Sequence, residues 1–306
     1  MGNVLAIVLA LTAALLFALA AVLQEQGTKG VDSDVESTGV GFFARLVKRK
    51  VWLAGIATDI AGFVVQAAAL AVGSLLLVQP LLVTTLVFAL PLAAYVHKRR
   101  LTRREWFWAV VLCAALTVFM VLGQPEAGIT QPSGKAWIIP IAILVPVVAV
   151  CIIGGSRMKS GSAKSLVLAI GAGMLLGYSA PFTKTGIDAF GQGILNGLSS
   201  WEFWAMAVTA TLGTLWQQSS YQAGDVQTSL PAVTVLKPII AMALGLTIYQ
   251  EHLRTGHAGD LVVIAALVAT LVATLALGRM SGSGGQPAKS DGPATHDQPQ
   301  GDDAHA

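Results

Sequence analysis

The sequence predicts an all-α integral membrane protein with about nine transmembrane helices arranged as an inverted repeat. Three observations carry that prediction. The first is composition: 306 residues that are 55% hydrophobic and 11% charged, with mean hydropathy +0.70, are too apolar and too poor in charge for an ordinary water-soluble domain. The second is the grouping of apolar residues into blocks near the ~20 residues that a helix rising ~1.5 Å per residue needs to cross ~30 Å of hydrocarbon. The third is an internal repeat whose copies lie five spans apart. Open strands are excluded from lipid because their backbone groups would find no partner there.

From the N-terminus the spans fall at about residues 3–24, 51–72, 75–96, 105–123, 136–154, 164–181, 201–221, 226–249 and 259–279. The first block is not read as a cleaved leader, because no Lys or Arg precedes it and its apolar run is longer than a signal core. The connections after odd-numbered spans, with the C-terminal tail, hold fifteen basic residues, among them Arg45, Lys48–Lys50, Lys98–Arg100, Arg103, Arg104, Arg157, Lys159 and Lys164. The opposite side holds three, Lys135, Lys184 and Arg254, and Lys237 lies inside a span. The positive-inside rule then predicts a plasma-membrane protein with its N-terminus outside and its C-terminus in the cytoplasm. Residues 42–50 pair an apolar face (Phe42, Phe43, Leu46, Val47) with a basic one, a pattern suited to the interface. Residues 281–306, rich in Gly, Ser, Pro, Gln and Asp, have no apolar periodicity and are expected to form a disordered cytoplasmic tail.

A shift of 151 residues lays Gly62, Gln66, Gly73 and Pro80 over Gly213, Gln217, Gly224 and Pro231. A shift of 159 lays span 1 over span 6, with Leu9, Ala10, Ala13 and Leu16 over Leu168, Ala169, Ala172 and Leu175. The expected units are therefore residues 1–154 (spans 1–5) and 155–280 (spans 6–9), followed by the tail. Five spans separate equivalent elements, so the second copy enters the membrane from the opposite face, which is the plan of secondary transporters.

Two ionisable residues sit deep in apolar spans, where such groups are costly enough that function is the default hypothesis. At ~1.5 Å per residue, Asp59 is ~12 Å from the cytoplasmic end of span 2 and Lys237 ~16 Å from that of span 8. One reading is a substrate site in which Lys237 binds an anionic group with Asp59 as counter-ion or titrating carboxylate. The other is a structural ion pair between two spans. Gln66, Gln217 and Tyr221 either line the same cavity or join helices by hydrogen bonds. Pro231 and Pro238 in span 8, Pro80 in span 3 and Pro181 in span 6 mark expected helix breaks. Gly173 and Gly177 read as a close-packing face. Glu25 and Lys184 occupy equivalent span ends and are candidate gates, the plainer alternative being ordinary interfacial charges.

Other chemistries find no pattern here. Cys113 and Cys151 have no paired spacing, and His97, His252, His257, His296 and His305 lie outside the spans without a ligand spacing. Residues Gly128–Lys135 miss a phosphate loop by one residue, with Ala136 where Ser or Thr would bind magnesium. No cofactor, resident metal, nucleic-acid partner or enzymatic centre is expected. The expected partners are the bilayer and a small-molecule or ion substrate, with a homodimer left open.

The segments LLVQPLLVTTLVFALPL (76–92) and SLPAVTVLKPIIAMALG (229–245) resemble the repeated mid-domain helices of the drug/metabolite transporter superfamily, EamA-type. Asp59-x-x-Gly62-Phe63, the run Leu77–Leu81 and the span count look most like its NIPA-like branch, whose animal members are described as magnesium transporters. The resemblance covers residues 1–279 and implies transport by alternating access, with Asp59 where that branch usually has a glutamate. Lys237 departs from the magnesium-associated relatives: at ~4 Å and an effective dielectric of ~20, two unit charges interact by ~4 kcal/mol, and Mg²⁺ would be repelled by about twice that. The leading expectation is therefore a secondary carrier for an anionic metabolite or lipid-linked group. A divalent-cation permease and a non-transporting scaffold acting through the tail are the alternatives.

Overall fold

The computed structural model describes residues 2–28, 48–224, 226–255 and 257–283, so the interfacial segment at 42–47 and the tail beyond 283 lie outside the described residues. The helices are α1 (Gly2–Thr28), α2 (Lys50–Val72), α3 (Leu75–Leu82), α4 (Thr85–Val96), α5 (Arg103–Gly123), α6 (Ile138–Arg157), α7 (Ser162–Gly191), α8 (Ile194–Ser199), α9 (Trp201–Ala223), α10 (Val226–Thr247) and α11 (His257–Ser283). A 3₁₀ turn, Gly134–Trp137, leads into α6, and two short strands, β1 (Pro125–Glu126) and β2 (His252–Leu253), pair antiparallel. Eight helical segments are long and apolar enough to cross a membrane, with α3 and α4 together forming one of them. The seventh of the nine expected spans, α9, has 23 residues but is not among those eight: Gln217, Gln218, Ser219, Ser220, Tyr221 and Gln222 dilute its apolar character.

Small residues let the helices approach closely. α1 and α2 meet where Gly62 faces Phe17, and a methyl group at position 62 would lie 3.0 Å from the Phe17 ring. α7 and α9 meet in the same way: a methyl at Gly213 would lie 2.8 Å from Leu176. Gly62 and Gly213 are the residues matched by the shift of 151, and Phe17 and Leu176 are matched by the shift of 159. A second set recurs as well, with Gly73 against Ala6 and the Ala69 carbonyl, and the Ser165 hydroxyl on the Ser220 carbonyl at 2.7 Å. Gly173 and Gly177 carry α10 on α7: methyl groups there would fall 2.9 Å from Leu236 and 2.6 Å from Ile240. Those two glycines are packing residues.

The prolines behave differently from expectation. α7 runs through Pro181, and α10 runs through both Pro231 and Pro238, without interruption. Proline's φ is compatible with a helix, so each residue costs one backbone bond and a bend but does not force a break where neighbours hold the helix in place. Only the span containing Pro80 is divided, at Val83–Thr84. There the Thr84 and Thr85 hydroxyls take up the carbonyls of Leu81 and Leu82 at 2.6 and 2.7 Å.

Candidate functional site

The continuation of α7 past Pro181 puts Lys184 inside the protein and not at an interface. Its Nζ lies 2.6 Å from Glu251 Oε1, with side chains only 7% and 0% exposed. α3 begins at Ser74, whose hydroxyl accepts the Leu77 amide, and this leaves the amides of Leu75 and Leu76 pointing out of the first turn. Glu251 takes both: Leu75 N donates to Oε1 at 2.8 Å and Leu76 N donates to Oε2 at 2.9 Å. One carboxylate thus caps a helix, where the macrodipole favours negative charge, and also neutralises a buried ammonium. Desolvating such a pair is costly, and the two extra amide bonds offset part of that cost.

Tyr249 closes the same end. Its hydroxyl donates to the Pro181 carbonyl at 2.6 Å, which leaves the Thr185 hydroxyl to donate to the Tyr249 oxygen. Burial, with Glu251 and Glu202 nearby, raises the Tyr249 phenol well above its ordinary range, so it stays protonated and acts as a donor. The Lys184 ammonium lies 5.2 Å from the centre of the Tyr249 ring, within cation–π reach. Trp137 stacks on Phe182 at 4.5 Å and meets Trp201 and Tyr249 edge-on. Over this plug runs the connection from β1: Ile129 N donates to the Tyr249 carbonyl at 2.8 Å, and Gly128 passes so close that a methyl there would lie 2.0 Å from the Tyr249 oxygen. Glu126 pairs with His252 and Arg254 at its rim, at 3.2 Å each.

At the opposite end, where the basic residues gather, the ion pairs among the described residues lie nearer the surface. Glu25 of α1 meets His97 at 3.1 Å with side chains 45% and 30% exposed. Arg99 lies against Glu105 at 2.9 Å, and Glu105 also closes the capping box of α5 with Thr102.

Between the two ends lie the intramembrane charges. Gly55, Asp59, Gly62 and Gln66 recur at spacings of four, three and four and so share one face of α2, the face packed on α1. Leu53, Ile60 and Val64 form the exposed side. On α10, Val233, Lys237, Ala241 and Leu244 share the packed face, while Leu246 is exposed on the other. Asp59 and Lys237 fall on those same faces by helical spacing, where Asp59 is exposed and Lys237 is half-buried. Each feels the other's charge. No direct ion pair within 4.0 Å joins them among the described residues. Gln66 is buried, and Gln217 donates to the Tyr221 hydroxyl at 2.7 Å, so those two side chains are engaged with one another.

Among the described residues, two buried polar atoms lack a hydrogen-bond partner, Gln79 Nε2 on α3 and Trp137 Nε1. Trp137 also walls an apolar groove of about 660 Å³ with Ile138, Ile141, Val145, Pro146 and Trp201; neither Asp59 nor Lys237 lines it. Among the described residues no three His, Cys, Asp or Glu side chains gather as a metal-binding group.

Reading the sequence alone misses Glu251 and Tyr249, which lie just past and at the very end of the span expected at 226–249. The available signal is their position: Tyr249-Gln250-Glu251 stands at the end of span 8 as His97-Lys98-Arg99 stands at the end of span 3.

Eight helices long and apolar enough to cross a membrane are the features of an α-helical integral membrane protein. No family model and no solved structure matches the chain. It is 35% identical over 285 residues, 92% of this chain and 96% of the relative, to an uncharacterized protein of Corynebacterium glutamicum, and it belongs to that protein's family.

Proposed function

We infer that this protein is a secondary transporter of the drug/metabolite type, carrying a small anionic metabolite or the anionic group of a lipid-linked solute by alternating access. The observation that carries this reading is the contrast between the ends. A mid-membrane lysine keeps accessible surface, while among the described residues the Lys184–Glu251 pair is buried and the Glu25–His97 pair at the other end is partly exposed. A lone structural ion pair would require contact between Asp59 and Lys237, which they do not make. Recurrence of the same helix contacts at 17/62 and 176/213 supports two copies of one unit, and in the inverted reading those copies exchange roles during the cycle. With the N-terminus outside, the sealed end faces out and the basic end faces the cytoplasm. Lys237 would hold the anion and Asp59 would balance the site when it is empty.

Metabolite profiling of a strain lacking this protein tests the reading. The same anionic species should accumulate, or disappear, in the deletion strain and in a strain carrying Lys237→Met. A Lys237→Met strain whose profile matches the wild type would contradict it.

A further inference from the structure

We propose that Glu25 and Arg99 form a second, charge-reversed latch, which closes the basic end when the Lys184–Glu251 end opens. This rests on the transport reading above and names the residues that would carry the other half of its cycle.

The assignment comes from correspondence of position and backbone. Glu25 and Lys184 are equivalent at an offset of 159. Lys98 and Gln250, separated by 152, both adopt left-handed backbone, at φ 50° and φ 52°. Non-glycine residues rarely adopt that conformation; Gln124 does so too as the cap of α5, but Lys98 and Gln250 are the two that stand at corresponding places past spans 3 and 8. In each copy the next residue reaches back to its own helix: Arg99 N to the Ala94 carbonyl at 2.9 Å, and Glu251 N to the Gly245 carbonyl at 3.0 Å. Arg99 is therefore the counterpart of Glu251. At the sealed end the base is on α7 and the acid follows the turn; at the other end the acid, Glu25, is on α1 and the base, Arg99, follows the turn.

Arg99 is not on Glu25 here. It lies on Glu105, next along the chain, while Glu25 meets His97, two residues before Arg99. That is the arrangement expected of an open end: the latch base is parked on the cap of α5, and the latch acid already touches the same turn. Closing requires Arg99 to exchange one carboxylate for another, leaving Glu105 held by its hydrogen bonds from the Thr102 amide and hydroxyl. Glu105 and Glu25 compete for the Arg99 guanidinium, so removing either competitor shifts the balance toward the other.

The test uses the full chain with Cys113→Ala, Cys151→Ala and a reporter, Leu76→Cys, which lies buried behind the Glu251 seal. A membrane-impermeant maleimide is applied from the side on which Lys184 lies, and the labelling rate reports opening of that end. Arg99→Gln should lower the rate about ten-fold, and Glu105→Gln should raise it by a similar factor, the shift given by ~1.4 kcal/mol in favour of one state. The two substitutions abolish the same observed ion pair, so a merely structural pair predicts the same direction for both. Glu25→Arg should lower labelling, and combining it with Arg99→Glu should restore it to the parent rate or above. Equal shifts for Arg99→Gln and Glu105→Gln, or none, overturn the latch. Lys184→Met separates this from failure of the wider reading: if it leaves the reporter unlabelled, alternating exposure itself is wrong and the latch falls with it.

Discussion

Glu251→Ala is expected to be the most destabilising single substitution in the described structure. It leaves the Lys184 ammonium buried without a counter-ion and takes the acceptor from two amides at the start of α3. Removing one partner of a buried pair typically costs ~3–5 kcal/mol, because the remaining charge stays desolvated. Thermal unfolding followed in detergent should show a large fall in midpoint. Glu251→Gln should lie between this variant and the wild type, since an amide oxygen still accepts one α3 amide. Removing both charges, with Lys184→Met and Glu251→Leu together, should recover much of the lost stability, because no uncompensated charge remains. On the transport reading, that recovered protein should still be defective in transport, because the contacts proposed to open and reclose that end are gone. A Glu251→Ala protein as stable as wild type would mean that the end is not sealed by this pair.

The second large effect concerns Lys237. Methionine keeps most of the side chain's length and packing and removes its charge. Lys237→Met should therefore fold, judged by yield and by elution as a single species, and lose transport. Losing a charge-assisted contact worth ~1.5–3 kcal/mol should weaken uptake of the anion by roughly one to two orders of magnitude in proteoliposomes loaded with the species found by profiling. The divalent-cation reading predicts the opposite sign. Removing the positive charge would then improve Mg²⁺ uptake, and Asp59→Asn would abolish it. An anion carrier predicts no Mg²⁺ flux in the wild type or in either variant.

The long apolar elements were legible in the sequence because lipid imposes a simple length and polarity rule. The start and end of α2, expected at 51–72 and observed at Lys50–Val72, show how closely that rule works. α9 was expected at 201–221 like the other spans, and its polar C-terminal turns are what keep it below the hydropathy of the eight. The sealed end was not legible. Its key lysine fell outside the span expected at 164–181, because Pro181 was read as a stop, while α7 continues to Gly191. Its key acid and phenol lie in a connection where neither length nor periodicity says anything about burial; only packing of α3, α7 and α10 places them together. Asp59 and Lys237 could be singled out because charge inside an apolar run is visible without any fold. Their lack of direct contact could not, since depth along a helix gives height in the membrane and not lateral separation.

Thr234 stands one helical turn from Lys237 on α10 and keeps part of its surface accessible, so Thr234→Cys in the cysteine-free chain is the most direct probe of alternating exposure. Impermeant thiol reagents should label it from the basic side of the membrane in the otherwise wild-type chain, and from the opposite side once Lys184→Met opens the sealed end. Labelling from the same side in both proteins, or from neither, would contradict a single central pocket exposed to each face in turn.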